Sequence, residues 1–141
     1  MVDIDITYEG ELHCTAIHRP SQARLETDAP VDNQGRGESF SPTDLVATGL
    51  GVCMATVMGI LARKKGYAIE GLRVHVRKVM TATPPRRIAR LEAELTLPAT
   101  QGAALSPEAR AELEHAAHTC PVRLSLLDAI EVPVQFDWAG G

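Results

Sequence analysis

From Leu45 to Ala62 the chain reads LVATGLGVCMATVMGILA, eighteen residues without a charged side chain. A run of that length is a candidate membrane span. A helix apolar on all sides is equally at home in the core of a soluble protein. Three features favour the buried helix. Gly49, Gly51 and Gly59, with Thr48 and Thr56, interrupt the apolar character. The run is a lone segment among strand patterns. Ser41-Pro42 ahead of it reads as a helix cap followed by proline at the first helical position. Asp44, three residues after Ser41, suits the helix dipole and can complete a capping box. Arg63, Lys64 and Lys65 fill the last turn, and Gly66 ends it. Ala47, Gly51, Ala55 and Gly59 recur every four residues, a small-residue stripe that lets another backbone or helix approach closely.

The rest of the chain is read from its periodicity. Val2, Ile4, Ile6 and Tyr8 alternate with polar residues, as in a half-buried strand. Leu12, Cys14 and Ala16 form a second strand, with Gly10 at the turn between, and Ala23–Thr27 a short third. DAPVDNQGRGESF is a loop by composition, long enough to be functional. Leu72, Val74 and Val76, then Ala89 through Leu97, give two further strands, whose charged outer residues can pair across the sheet. Ser106-Pro107-Glu108 opens a second helix that ends at Cys120-Pro121, and a short further helix runs through Leu127. Ile130 to Trp138 alternate in a last strand, placed at an edge by Pro133. Three strands, a helix, two strands, a helix and a strand indicate an α+β fold with antiparallel sheet. The 141 residues suffice for one domain, 1–141, with a real core. One small sheet covers only one face of the long apolar helix, so a homodimer that buries paired helices is expected.

Several function classes fall away. The net charge of −4 and an aromatic content of 4% do not suit a nucleic-acid partner. The N-terminus has no basic or apolar leader, which suggests a cytoplasmic protein with reduced thiols and no membrane partner. Three cysteines without a CxxC pair are not a disulfide scaffold. His118-x-Cys120 is not a metal-ligand spacing, so no metal is expected. GRG at Gly35–Gly37 lacks the lysine and spacing of a phosphate loop, and nothing else points to a cofactor.

The chemistry then rests on thiols. Cys14, between Leu12 and Ala16, reads as core. Cys53 lies mid-helix in an apolar run, where a thiol is inert by default. Cys120 sits at a helix junction, where backbone N–H groups favour a thiolate and Arg123 is close in sequence. On these grounds Cys120 is expected to be the more acidic thiol. His115 and His118 near it leave open a Cys–His hydrolase, with no third group to orient the pair.

FSPTDLVATGLGVCMATVMG followed by AAHTCPV resembles the OsmC/Ohr family of thiol peroxidases, over essentially the whole chain. The TDAP…GRG…FSPTDL lead-in is closer to the general OsmC-like branch than to the organic-hydroperoxide-resistance branch. The resemblance implies an intertwined α+β homodimer, with sheets wrapped around long central helices and two sites at the subunit interface. It implies that Cys53 attacks the peroxide and becomes a sulfenic acid. Cys120 then resolves it to a disulfide, and a dithiol such as a lipoylated protein, or a small thiol, restores both. The apolar residues around Cys53, among them Leu50, Met54 and Val57, would suit an organic hydroperoxide. The family's activating glutamate is replaced here by Thr43. Asp44 lies about 180° around the helix from Cys53 and is no simple substitute. Arg36 is the candidate activating arginine, ahead of Arg19 and Arg24. The missing glutamate motivates an alternative, a non-enzymatic module that binds a small apolar ligand at a dimer interface.

Overall fold

The N-terminal alternation becomes three strands in the computed structural model, which describes residues 1–140. They are β1 (Ile4–Gly10), β2 (His13–His18) and β3 (Ala23–Asp28), an antiparallel meander in that order. The turn after β1 is made by three residues at positive φ: Gly10, Glu11 and Leu12. Tyr8 stands opposite Cys14, and Ala16 stands between Ile6 and Leu25. Directly opposed residues share a face, so Ile4, Ile6, Tyr8, Cys14, Ala16 and Leu25 form an apolar side. Thr7, Glu9, His13, Thr15, Glu26 and Asp28 form the polar side. The apolar side is open: Ile6 is 69% and Tyr8 59% exposed. This corrects two expectations, the half-burial of the first strand and the core position of Cys14. Cys14 is half-buried, because the face it belongs to has no cover in the single chain.

The described residues form two compact units, Met1–Val46 and the chain from Ala47 onward. After β3 the first unit continues through a 3₁₀ turn at Val31–Asn33 into the loop before the helix. A Cβ at Gly35 would overlap the carbonyl oxygen of Ala29, so only glycine lets the loop fold back there.

Helix α1 (Pro42–Lys65) starts at the expected cap. The Asp44 backbone N–H donates to Ser41 Oγ at 3.1 Å, and the Ser41 N–H donates to Asp44 Oδ2 at 2.8 Å. These two bonds close the capping box. The helix is long and apolar enough to cross a membrane, and 33% of its most apolar window is buried inside the chain. Leu50, Met54 and Met58 are fully buried, whereas Val52 and Ile60, on the other side, are 59% and 64% exposed.

The second unit packs α1 on a sheet of β4 (Arg73–Met80), β5 (Ile88–Thr96) and β6 (Val134–Asp137), in that order. Between β5 and β6 run α2 (Ala99–Ala104), α3 (Pro107–His118) and α4 (Pro121–Ser125). β4 and β5 are antiparallel, with Val74 opposite Leu95 and Val76 opposite Ala93. β6 pairs with β5 in parallel, which corrects the all-antiparallel expectation. The reason is the helical crossover from β5 to β6, long enough to return the chain in the same direction. β6 does lie at the edge, and Pro133 only accepts there, from the Ala93 N–H.

The core belongs to this unit. Leu91, Leu95 and Leu97, with Leu113 and Cys120, join the α1 residues at 0–1% exposure. Each fully buried leucine contributes about 1.5–3 kcal/mol of transfer free energy. At Gly51 the small-residue stripe of α1 meets strand β4. A Cβ at Gly51 would lie 2.9 Å from Val76 Cγ2 and 3.3 Å from Val74 Cγ1, while Gly59 has open space. Helix α2 was not expected. It is six residues long, contains Gly102 and has no side-chain cap at Pro98, so it carries no start signal to read. On the outer face of the sheet Arg77 pairs with Glu92 directly opposite at 3.2 Å, the cross-strand pairing expected of a solvated face, and Arg90 of the same strand also pairs with Glu92 at 2.9 Å.

Candidate functional site

Helix α1 carries Cys53 on the boundary between its buried stripe and its exposed stripe. Leu50 and Met54 beside it are buried, Val52 is exposed, and Cys53 itself is half-buried against the core. Cys120 is placed by a different device. Ser106 Oγ caps α3 by accepting the Ala109 N–H at 3.2 Å, and Thr119 ends that helix. Cys120 then adopts an extended backbone as the cap of α4, with Pro121 at the first helical position. Its sulfur accepts the Arg123 backbone N–H at 3.4 Å. Burial of Cys120 is complete.

The two thiols meet. Cys53 is close enough to act on the Cys120 thiol, although 66 residues separate them along the chain. Burial is the main force on the Cys120 thiol, and it pushes the pKa up. The Cys53 side chain raises it further, while the backbone N–H groups of Arg123 and Val122 pull down less than burial pushes up. This corrects the expectation that the helix junction makes Cys120 an acidic thiol. The helix N-terminus is there as expected, but desolvation outweighs it. All three cysteines are free thiols.

The basic candidates lie in the first unit. Arg36 is an exposed loop residue with its guanidinium 3.9 Å from Glu11. Arg19 makes a bidentate pair with Asp5, at 2.6 and 2.9 Å. Arg24 bonds Glu26 at 2.9 Å and Thr15 at 3.3 Å. Thr43 Oγ1 lies 3.2 Å from Ser41 Oγ, inside the same cap that engages Asp44. Among the described residues neither histidine of α3 hydrogen-bonds Cys120. His115 is exposed, and His118 sets its ring edge-on to Phe136 with centroids 5.7 Å apart.

Two features escape a reading of the sequence. One is a cleft of about 530 Å³ beside the second half of α1, lined by Ala55, Gly59, Ile60, Tyr67, Ile69 and Leu72 among others. The other is a polar cluster on the first sheet. His13 Nδ1 lies 2.7 Å from Asp28 Oδ1, and His13 Nε2 lies 3.8 Å from both Glu9 and Glu26. Its signal was the strand register, which puts residues 13, 15, 26 and 28 on one face.

The family model described as OsmC-like protein matches residues 35–135. No curated protein is similar enough to match. Among solved structures, a protein of Psychrobacter arcticus 273-4 provisionally named an osmotic stress induced and detoxification response protein is 41% identical. The match covers 96% of each chain, with a TM-score of 0.88. An organic hydroperoxide resistance protein OsmC of Legionella pneumophila is 18% identical over 97% of this chain and 96% of that one, with a TM-score of 0.72. An OsmC-like protein of Mycoplasma pneumoniae is 17% identical over 96% and 95%, with a TM-score of 0.78. The last two show the shared fold: mixed α+β, with two small sheets and helices.

Proposed function

The chain belongs to the OsmC-like family, and from that premise we propose that it is a cytoplasmic, homodimeric thiol peroxidase using Cys53 and Cys120. The observation that carries this reading is the meeting of a half-buried thiol on α1 with a buried thiol at the α4 cap. The Cys53 thiolate attacks one oxygen of a hydroperoxide and the O–O bond breaks. The other oxygen leaves with a proton as alcohol or water, and Cys53 becomes a sulfenic acid. Cys120 is poised for the second step. Its raised pKa keeps it a thiol through the first, so it does not compete for the peroxide. It then loses its proton, attacks the Cys53 sulfur and releases water, leaving a Cys53–Cys120 disulfide. A dithiol, a lipoylated protein or a small thiol returns both to thiols by exchange. Leu50, Met54 and Val57 around Cys53 suit an organic hydroperoxide. Arg36 is the proposed activating cation.

The names of family relatives, hydroperoxide resistance and detoxification response, agree with this chemistry. A second copy is proposed to cover the apolar side of β1–β3 and the exposed stripe of α1, since open apolar surface on this scale is a usual mark of an interface. One observation favours the alternative, a non-enzymatic module that holds a small apolar ligand. Asp44, the acid nearest the position of the family's glutamate, is engaged in the helix cap.

Peroxide consumption with a dithiol reductant separates the two. The wild type turns over organic hydroperoxide, Cys53→Ser abolishes turnover, and Cys120→Ser slows it, since its Cys53 sulfenic acid can be reduced only by direct attack of the added dithiol. Equal, background-level consumption by the wild type and Cys53→Ser would overturn the peroxidase in favour of the binding module.

A further inference from the structure

The first unit holds its loop through one buried carboxylate. Asp28, at the end of β3, is 5% exposed. Its two oxygens face different elements: Oδ1 lies 2.7 Å from His13 Nδ1 on β2, and Oδ2 accepts the Glu38 backbone N–H at 3.1 Å. The backbone continues the attachment. The Asp28 N–H donates to the Phe40 carbonyl at 3.2 Å, the Ala29 N–H to the Leu12 carbonyl at 3.1 Å, and Ser39 Oγ–H to the Glu26 carbonyl at 2.8 Å. Residues 29–40 therefore hang from the end of β3 and lead straight into Ser41, the cap of α1.

Three carboxylates surround the His13 ring. Asp28 faces Nδ1, while Glu9 of β1 and Glu26 of β3 each approach Nε2 to 3.8 Å. Glu9 also accepts from Thr15 Oγ–H at 2.7 Å, and Glu26 also pairs with Arg24 at 2.9 Å. A further ion pair, Glu11 with Arg36, sits in the turn before β2. The His13 side chain is 28% exposed, enough to exchange protons with water. With the ring charged, it is the cation these carboxylates share. With the ring neutral, one hydrogen bond to Asp28 remains, and Glu9, Glu26 and Asp28 crowd one another with Arg24 as the cation paired to Glu26.

We propose that His13 is a proton-operated clamp: charged, it fixes Asp28 and with it the segment 29–40; neutral, it loosens that segment. The sign follows from the surroundings. The Asp28 hydrogen bond first, then the charges of Asp28, Glu26 and Glu9, raise the His13 pKa above its ordinary value, and burial opposes them. The stabilisation is present in full below pH 6.5, the unfolded-state value, and is lost as pH rises through the raised folded value. The clamp is independent of the thiol chemistry, so a failure of either leaves the other standing.

Hydrogen exchange on the full-length reduced protein between pH 5.5 and 8.5 tests it, read as protection factors to remove intrinsic base catalysis. The proposal expects protection at residues 35–40, the Glu38 amide above all, to fall by about tenfold as His13 titrates, with β4 and β5 unchanged. His13→Gln should show no such step. Proton NMR of the wild-type His13 ring supplies the second reading, which needs no variant: its titration midpoint should coincide with that of the Glu38 amide shift. Protection at 35–40 that is flat with pH in the wild type, a step retained in His13→Gln, or a Glu38 amide that does not follow His13 would each overturn the clamp.

Discussion

The two sheets have the same strand count and the same alternating pattern, yet one is closed and the other open. On β4–β6 the inward residues Leu91 and Leu95 are at 0–1% exposure, sealed under α1. On β1–β3 the residues of equal character, Ile4, Ile6 and Tyr8, are 58–69% exposed. Alternation states which face of a strand is apolar, and nothing about what covers it. The closed unit holds both thiols of the proposed reaction. The open unit holds an apolar face proposed to meet a second copy, and on its polar face the His13 clamp.

Charging the open face breaks this comparison with the largest effect. Ile6→Glu should convert a dimer to a monomer, measured as a halved mass by light scattering, with the circular dichroism of the second unit retained. A wild type that is monomeric at micromolar concentration would remove the second copy from the account.

Truncation in the closed unit comes next. Leu91→Ala should cost about 2–5 kcal/mol of unfolding free energy, for lost transfer energy plus the cavity left behind. Ile6→Ala sharpens the contrast. In a monomer it should change stability by no more than about 0.5 kcal/mol, so a cost near that of Leu91→Ala signals burial by a partner. Denaturant unfolding at two protein concentrations distinguishes these cases.

The smallest effect is local. Ser41→Ala removes the acceptor of the Asp44 N–H and should cost about 1 kcal/mol, seen as a lower urea midpoint with an unchanged slope. No loss would mean that Thr43 takes over the cap.

Much of the fold was legible because its signals are local. Ser41-Pro42-Thr43-Asp44 and Ser106-Pro107 announce helix starts by capping chemistry, and both caps form as read. The direction of β6 was not legible. It depends on the crossover through α2–α4, and α2 has no cap to announce it. Burial was legible only where a pattern names its partner. The identical alternation of Leu91 and Ile6 ends at opposite exposures, which a single strand cannot reveal.

At the site, the motifs around Cys53 and Cys120 singled out two side chains that the second unit brings close to each other. The expected acidity of Cys120 went wrong for a physical reason. A helix N-terminus can be read from Cys120-Pro121, but the desolvation that opposes it depends on the packing of the whole unit. The His13 cluster was invisible for a similar reason. Glu9, His13, Glu26 and Asp28 are scattered over three strands, and only the register of β1–β3 brings them to one side.

Thiol mapping after one equivalent of organic hydroperoxide tests the redox pair most directly. Reduced protein is treated, alkylated and digested, and disulfide peptides are identified by mass spectrometry. The account predicts rapid, near-complete formation of a Cys53–Cys120 disulfide with Cys14 still a thiol. Both thiols left reduced while peroxide persists, or oxidation of Cys53 that never proceeds to a bond with Cys120, would contradict it.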